Sequence, residues 1–342
     1  MQQTLPKVTF GNTEEKVSRI GYGCMGLSAF YTTNPISEEE ALNVIGEALN
    51  QGQNFFDTAA LYGDNELLMA KAIKKFGREK FFLATKVLPF KFENGKRKKV
   101  SATKENIKFY CEYSLKRLEI QQIDLFYMHR VDPEIPVEKQ AEAMKELIQE
   151  GKIKYYGLSE VSEETIRRAH KVHPITAIQE EFSLMSRDIE QNGVLKACQE
   201  LKIALVAYSP ICRGLLSGNI SNSDQIDSKD SRKQRFPRFE GQNLVENHQK
   251  VEKLKEISQE VKGTLAQVSL AWLLTRGDNI FPIPGTKSIK YLTENNQSVN
   301  IKLSEQQLKR IDELFPPGIA SGTRYAAQLQ KQLTVNTRKL NK

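Results

Sequence analysis

Eight short runs of apolar, aromatic and β-branched residues recur along this chain with amphipathic stretches between them, and that alternation constrains the fold more than any other feature. The runs are Ser18 to Gly23, Asn54 to Asp57, Phe81 to Lys86, Ile123 to His129, Ile153 to Ser159, Ile175 to Gln179, Ile203 to Tyr208 and Ile280 to Pro284. They are apolar at nearly every position rather than at every second one, which suits parallel strands buried on both faces. Helical periodicity predicts the covering layer at Glu38 to Asn50, Asn65 to Phe76, Thr103 to Leu118, Val137 to Glu150, Glu163 to His170, Asn192 to Leu201 and Thr264 to Arg276. Several of these open on a Ser, Asp or Thr cap and close on Gly.

Eight such units close into an α/β fold of the (β/α)8 TIM-barrel class, and 342 residues accommodate one barrel with insertions. Val8 to Phe10, a break at Gly11-Asn12 and the run from Val17 predict an N-terminal β-hairpin ahead of the first strand. A doubly wound dinucleotide domain is the rival architecture. Gly21-Tyr-Gly23-Cys-Met-Gly26 misplaces the third glycine of a phosphate-binding fingerprint, and the following Leu27 to Pro35 reads as loop rather than helix. Asn219 to about Leu244 reads as a long polar loop of the kind that serves a site. Ser304 to Leu314 is a last helix, stopped by Pro316-Pro317. The expected organisation is one barrel domain over residues 1–326 and a loose tail over 327–342.

Hydrophobic residues at 39% and charged residues at 27% exclude a disordered chain. The 50 basic and 42 acidic side chains leave a net charge of +8, which suits an anionic partner without naming one. Of the two basic runs, Lys91 to Lys99 and Arg232 to Arg238, the second lies in the long polar loop and is the better anion candidate. No recognisable nucleic-acid-binding motif accompanies them. Cys24, Cys111, Cys198 and Cys212 lack disulfide-framework or zinc spacing, and no signal core or long apolar span occurs, so a cytoplasmic protein without membrane contact is expected. His170 and His173 sit three apart without a carboxylate or cysteine to complete a site, so no metal is expected. Nothing in the pattern sets an oligomeric state.

Reacting groups of a parallel barrel sit at the C-terminal ends of its strands. Here the second strand ends at Asp57 with Tyr62 in the loop that follows, the third ends at Lys86 and the fourth at His129. These residue types make a coherent set. A lysine ammonium favours the phenolate of a neighbouring tyrosine, a carboxylate holds that lysine in place, and a histidine polarises a carbonyl oxygen. Each also has a structural reading: a helix cap for Asp57, a snorkelling side chain for Lys86, a packed aromatic for Tyr62, a core histidine for His129. Their concurrence at consecutive strand ends favours the chemical one. Cys24 lies at the end of the first strand with no base to activate it.

With those residues in view, the chain resembles the aldo-keto reductase family. The matching segments are Ile20 to Ser28 (IGYGCMGLS), Asn54 to Gly63 (NFFDTAALYG), Ala84-Thr85-Lys86, Met128-His129-Arg130, Tyr156 to Glu160 (YGLSE), Ile178-Gln179, Ala207 to Gly218 (AYSPICRGLLSG), Pro282 to Lys287 (PIPGTK) and Glu294-Asn295. The resemblance implies a catalytic tetrad of Asp57, Tyr62, Lys86 and His129 with Tyr62 as proton donor, and NADPH as cofactor. It further implies that Tyr208 stacks on the nicotinamide and that Ser159 and Gln179 hold its carboxamide. Gly23, Cys24 and Met25 would line the nicotinamide side. Ser209, Pro210, Ile211, Arg213, Gly214, Leu215 and Gly218 would wrap the pyrophosphate. Thr286 and Lys287 would lie near the adenosine 2′-phosphate and Glu294 and Asn295 at the adenine, with Gly285 also in the cofactor site. Many relatives carry Lys-Arg where this chain has Lys287-Ser288, which weakens the charge argument for NADPH unless Arg235 or Lys290 compensates.

Tyr156 to Ile175 resembles the branch that includes pyridoxal reductases and broad aldehyde reductases. Phe30, Tyr31 and Arg130 are the candidates to meet the substrate. The activity implied is NADPH-dependent reduction of aldehydes or ketones. The alternative is a redox-sensing regulatory subunit similar to the potassium-channel β subunits, which share the barrel and the cofactor.

Overall fold

The computed structural model describes residues 4–29, 35–87, 90–93 and 96–340, and of residues 90–93 and 96–97 the backbone only. Its strands β1 (Tyr22–Gly23), β2 (Phe55–Asp57), β3 (Phe82–Val87), β4 (Ile123–Met128), β5 (Ile153–Ser159), β6 (Ala177–Glu181), β7 (Ala204–Tyr208) and β8 (Ile280–Pro282) pair in parallel, each with the next. The ring closes where Gly21 N–H donates to Pro282 O at 2.9 Å and Gly23 N–H to Pro284 O at 3.3 Å. This is the expected (β/α)8 fold.

Helices α1 (Glu38–Asn50), α2 (Asn65–Phe76), α3 (Lys104–Leu118), α4 (Val137–Gln149), α5 (Glu163–Val172), α6 (Val194–Glu200), α7 (Ser231–Arg235), α8 (Gly241–Glu252), α9 (Lys255–Glu260), α10 (Leu265–Leu274), α11 (Ile289–Gln297), α12 (Glu305–Leu314) and α13 (Ala327–Gln330) accompany the strands. Ser37, Thr264 and Ser304 form capping boxes, each accepting from a backbone N–H three residues on. These caps explain why sequence and structure agree closely at those helix starts.

Two apolar layers hold the barrel together. Between sheet and helices lies the larger core, with Trp272, Phe56 and Phe126 fully buried. Inside the ring, Phe10 packs against Phe55, Phe82 and Phe281 with ring centroids 5.3, 5.2 and 4.8 Å away. Phe10 arrives on the N-terminal hairpin, in which Lys7–Thr9 pairs antiparallel with Lys16–Ser18. The turn needs Gly11, which has φ +60 and sits where an added Cβ would come within 2.7 Å of Thr176 O. The hairpin therefore plugs the barrel floor, and the opposite end stays open.

Several expectations are corrected. The first strand is shorter than Ser18 to Gly23. The basic run Lys91 to Lys99 falls in two paired strands, Phe90–Glu93 with Lys96–Lys99. The polar stretch from Asn219 contains α7, capped by Asp230, and the start of α8. Helix α8 has a narrow buried face of Leu244, Asn247 and Val251, too thin to register as apolar periodicity.

The C-terminal tail is bonded to the barrel at several points. Val335 N–H donates to Glu160 O at 3.0 Å, Ser162 N–H to Val335 O at 3.2 Å, and Val137 N–H to the Thr337 hydroxyl at 3.1 Å. Arg168 donates to the carbonyls of Thr337 and Arg338 at 3.0 and 2.8 Å. Spaced main-chain bonds of this kind leave no sequence signature. Among the described residues, no helix is long and apolar enough to cross a membrane.

Candidate active site

A cavity of about 580 Å³ occupies the open mouth of the barrel and runs from Tyr62 and His129 at one end to Lys287, Glu294 and Asn295 at the other. Strand register explains the first end. Asp57 pairs with Ala84, two residues before Lys86, so both side chains point into the barrel one pleat apart. Lys86 is fully buried, ion-paired with Asp57, and donates to Thr58 O at 2.8 Å. Gln179, from β6, donates to the other oxygen of Asp57 at 2.8 Å. Burial pulls the Lys86 ammonium below its usual range, and Asp57 counters part of that pull.

The Lys86 ammonium lies 5.3 Å from the centre of the Tyr62 ring, and the Tyr62 ring meets that of His129 edge-on at 6.0 Å. Tyr62 is held by its loop. Asn65 accepts from the Thr58 hydroxyl at 2.5 Å and donates to Cys24 O at 2.9 Å, while Ser28 donates to Tyr62 O at 3.1 Å. Arg117 reaches from α3 to Gly63 O at 2.5 Å and pairs with the buried Glu66. Asn65, Glu66 and Arg117 were not singled out from sequence, since they lie inside helices and act through tertiary contacts.

The middle of the cavity is walled by Ser159, Gln179 and Tyr208, with Arg130 donating to Ser159 Oγ at 3.2 Å and to His129 O at 2.6 Å. Beyond Tyr208 the chain enters a run of left-handed residues: Ser209 (φ 49), Cys212 (φ 47), Arg213 (φ 55) and Gly214 (φ 93). Cys212 N–H and Gly214 N–H close this turn on Ser209 O and Ile211 O at 2.8 and 3.0 Å, and a tight turn of this kind with small residues on the cavity wall lets backbone approach a phosphate group. Across from it, Gly23 and Gly285 approach so closely that a Cβ on either would come within 2.7 or 2.6 Å of a backbone oxygen, which keeps that wall free of side chains.

At the far end stand Lys287, Arg232 and Arg235 with Tyr291. Asp230 pairs with Arg232 at 2.8 Å, and Lys287 is near enough to lower the Asp230 carboxyl. An elongated cavity with a phosphate-shaped turn in the middle and cations at one end fits a nicotinamide dinucleotide. Gly23, Met25, Ser209, Pro210, Ile211, Arg213, Gly214, Gly285, Thr286, Lys287, Glu294 and Asn295 line it together with the tetrad-end residues Asp57, Tyr62 and His129.

Cys24, Leu215 and Gly218 stand apart from that wall. Cys24 and Leu215 are fully buried, and burial holds the Cys24 thiol well above its usual range. Gly218 faces Leu265. Lys290 places its ammonium over the Tyr291 ring at 5.7 Å. Phe30 and Tyr31 lie outside the described residues. His170 accepts from Ile175 N–H at 3.1 Å, and among the described residues no group of three or more His, Cys, Asp or Glu side chains gathers to hold a metal.

The C-terminal segment contributes Tyr325, Leu329 and Gln332 to the cavity wall. Sequence gave no signal for them. Arg232, by contrast, belongs to the basic run that its position in a polar loop had already marked.

Fold and cavity together are those of a barrel of the nicotinamide-dependent oxidoreductase class, with an open cavity at the C-terminal mouth. The profile of the aldo/keto reductase family matches residues 19–315, and the chain belongs to that family. It is 42% identical over 328 residues to probable aldo-keto reductase 1 of Glycine max, covering 95% of this chain and 93% of the relative. It is 40% identical over 342 residues to the aldo-keto reductase yakc [NADP(+)] of Schizosaccharomyces pombe, covering 98% of each. Aldo-keto reductase str7 of Strobilurus tenacellus is 41% identical over 320 residues, covering 91% of this chain and 92% of the relative. Among solved structures, the thermostable aldo-keto reductase Tm1743 in complex with the inhibitor epalrestat superposes with a TM-score of 0.73 at 30% identity, covering 90% of this chain and 99% of that one.

Proposed function

We propose that the protein reduces aldehyde or ketone carbonyls to alcohols with NADPH. The observation that carries this reading is the placing of Tyr62, His129 and the buried Asp57–Lys86 pair at one end of a cavity whose other end holds Lys287 and Arg232. The name of the fission-yeast relative, which carries NADP(+), supports the same cofactor.

NADPH, when bound along the cavity, would supply the hydride for the carbonyl carbon. The protein supplies the proton. Tyr62 O–H donates to the carbonyl oxygen as charge develops there, and His129 orients and polarises that oxygen. Lys86 favours the phenolate left on Tyr62, and Asp57, fixed by Gln179, keeps Lys86 facing the phenol. Arg130 braces Ser159, to which this reading assigns the carboxamide of the cofactor. Lys287 and Arg232 would discriminate in favour of the 2′-phosphate by charge pairing.

Loss of NADPH absorbance with a panel of aldehydes that includes pyridoxal tests the reading. Wild type is expected to turn over one or more of them, and Tyr62→Phe to lose that activity while still quenching its fluorescence on binding NADPH. Full carbonyl reductase activity in Tyr62→Phe would remove Tyr62 from the mechanism.

A further inference from the structure

At the centre of the cavity, opposite the tetrad, the hydroxyl of Tyr208 enters a buried network that the tetrad does not use. It donates to Glu160 Oε1 at 2.7 Å and lies 3.1 Å from the Tyr325 hydroxyl. Glu160 is fully buried at the end of β5 and holds a left-handed backbone with φ 54, a conformation costly for a residue with a Cβ. Arg324 ion-pairs with Glu160 and also donates to the Tyr208 hydroxyl at 3.1 Å. Arg213, from the loop after β7, donates to the Tyr325 hydroxyl at 2.9 Å and to Glu181 at 2.8 Å.

Arg324 and Tyr325 arrive on the C-terminal segment, which is bonded to the barrel on both sides of them. Ahead of them, Asn247 and Lys250 of α8 donate to Ser321 O and Ile319 O at 2.8 and 2.9 Å. Behind them, Val335 N–H reaches the carbonyl of the same Glu160. Glu160 thus meets this segment twice, through its side chain and its main chain.

We propose that Arg324 and Glu160 are positioning residues for Tyr208, through which the C-terminal segment sets the nicotinamide end of the cavity. The inference rests on the reductase reading, because it assigns Tyr208 to the nicotinamide face. A tyrosine ring pivots about its side-chain torsions, and a hydroxyl tethered by a carboxylate and a guanidinium fixes the plane it presents. Arg324 also compensates the Glu160 charge, so its removal leaves a buried carboxylate free to draw the tyrosine or water elsewhere. Lys287 lies outside this network, and the phosphate-binding turn meets it through Arg213, which is held by Glu181 and Tyr325 rather than by Glu160, so the effect of Arg324 should fall on hydride-transfer geometry more than on cofactor affinity.

The test is a mutant cycle on the full chain with NADPH and an aldehyde that wild type reduces. Arg324→Met and Tyr208→Phe are each expected to lower kcat by about tenfold to a hundredfold, as misplacement of a reacting group does, with a smaller change in KM for NADPH. Because both act through one hydroxyl, the double variant should be no slower than the slower single one. Arg324→Lys should restore part of the rate. If Arg324→Met does not fold, the charge-neutral pair Glu160→Gln with Arg324→Gln replaces it in the same cycle. Wild-type kcat in the arginine variants, or losses that multiply in the double variant, would overturn the proposal. A wild type that neither binds NADPH nor reduces any aldehyde would instead overturn the reductase reading, before any variant is made.

Discussion

The two halves of the cavity mouth are both built from buried charges at strand ends, yet they use them in opposite ways. On β2 to β4, the buried ion pair Asp57–Lys86 places a cation beside the Tyr62 ring. On β5 to β7, burial first and then the Glu160 carboxylate push the Tyr208 phenol well above its usual range and outweigh the Arg324 guanidinium that donates to the same hydroxyl. A cation beside a phenol prepares it to release a proton, whereas an anion makes it hold one. On the proposed reading, the same residue type serves proton transfer on one side and a fixed position on the other.

The sharpest way to break this comparison is to remove the same atom from both tyrosines. Tyr62→Phe is expected to cost about 10²- to 10⁴-fold in kcat, the usual worth of a positioned proton donor. Tyr208→Phe should cost less, and only the Tyr62 variant should lose the alkaline limb of its pH–rate profile. Equal losses with parallel profiles, measured by steady-state kinetics across pH, would show that the two hydroxyls are not differently employed.

The next effect concerns stability. Burial raises Glu181, but Arg213, Arg324 and Arg238 outweigh it and hold the carboxyl well below its usual range. Glu181→Gln leaves those arginines buried with less compensation and is expected to destabilise by about 3–5 kcal/mol, as breaking a buried ion pair does. Denaturant unfolding near neutral pH measures it. A change under about 1 kcal/mol, the range of a surface pair, would mean that solvent reaches the network.

A smaller effect belongs to the far end of the cavity. Lys287→Ala should weaken NADPH by about tenfold to a hundredfold, the worth of one or two charge-assisted contacts, and leave NADH nearly unchanged. Fluorescence titration with both nucleotides decides it. Equal weakening of the two would move Lys287 from the 2′-phosphate to a shared part of the cofactor.

These halves also differed in how much of them the sequence displayed. Asp57, Lys86 and His129 each terminate a run of strand residues, and Tyr62 follows at short range, so strand periodicity together with the rule that barrel sites sit at strand ends located all four. Glu160 and Glu181 terminate strands too, but their partners Arg213, Arg238 and Arg324 come from segments without periodicity. Arg324 meets Glu160 across 164 positions of chain, and no local pattern encodes such a contact. The same reason hid Tyr325 on the cavity wall. Helix α8 was missed on different grounds, for its buried face carries Asn247, which donates to Arg238 O and Ser321 O and so spends a core position on a polar contact.

The finest contrast lies between two neighbours on β6. Glu181 is held low by arginines, whereas burial and then the nearby Glu160 charge push Glu180 well above its ordinary value of 4.5. Glu180 is therefore protonated in the fold at pH values where it is ionised in the unfolded chain, and unfolding releases a proton. Stability then falls as pH rises above 4.5 towards the folded value, by up to about 1.4 kcal/mol per pH unit for one proton. Glu181 has the reverse sign: the unfolded chain takes up a proton below 4.5 that the fold refuses, so its stabilisation is lost as acid is added. Glu180→Gln, which copies the neutral acid, is expected to change stability little in mild acid and to remove the decline on the alkaline side. Unfolding free energies of wild type and Glu180→Gln, taken in steps from mild acid to neutrality, read this directly. A constant difference between the two curves would show that Glu180 titrates alike in both states, and that the arginines neutralise both carboxylates of β6 rather than one.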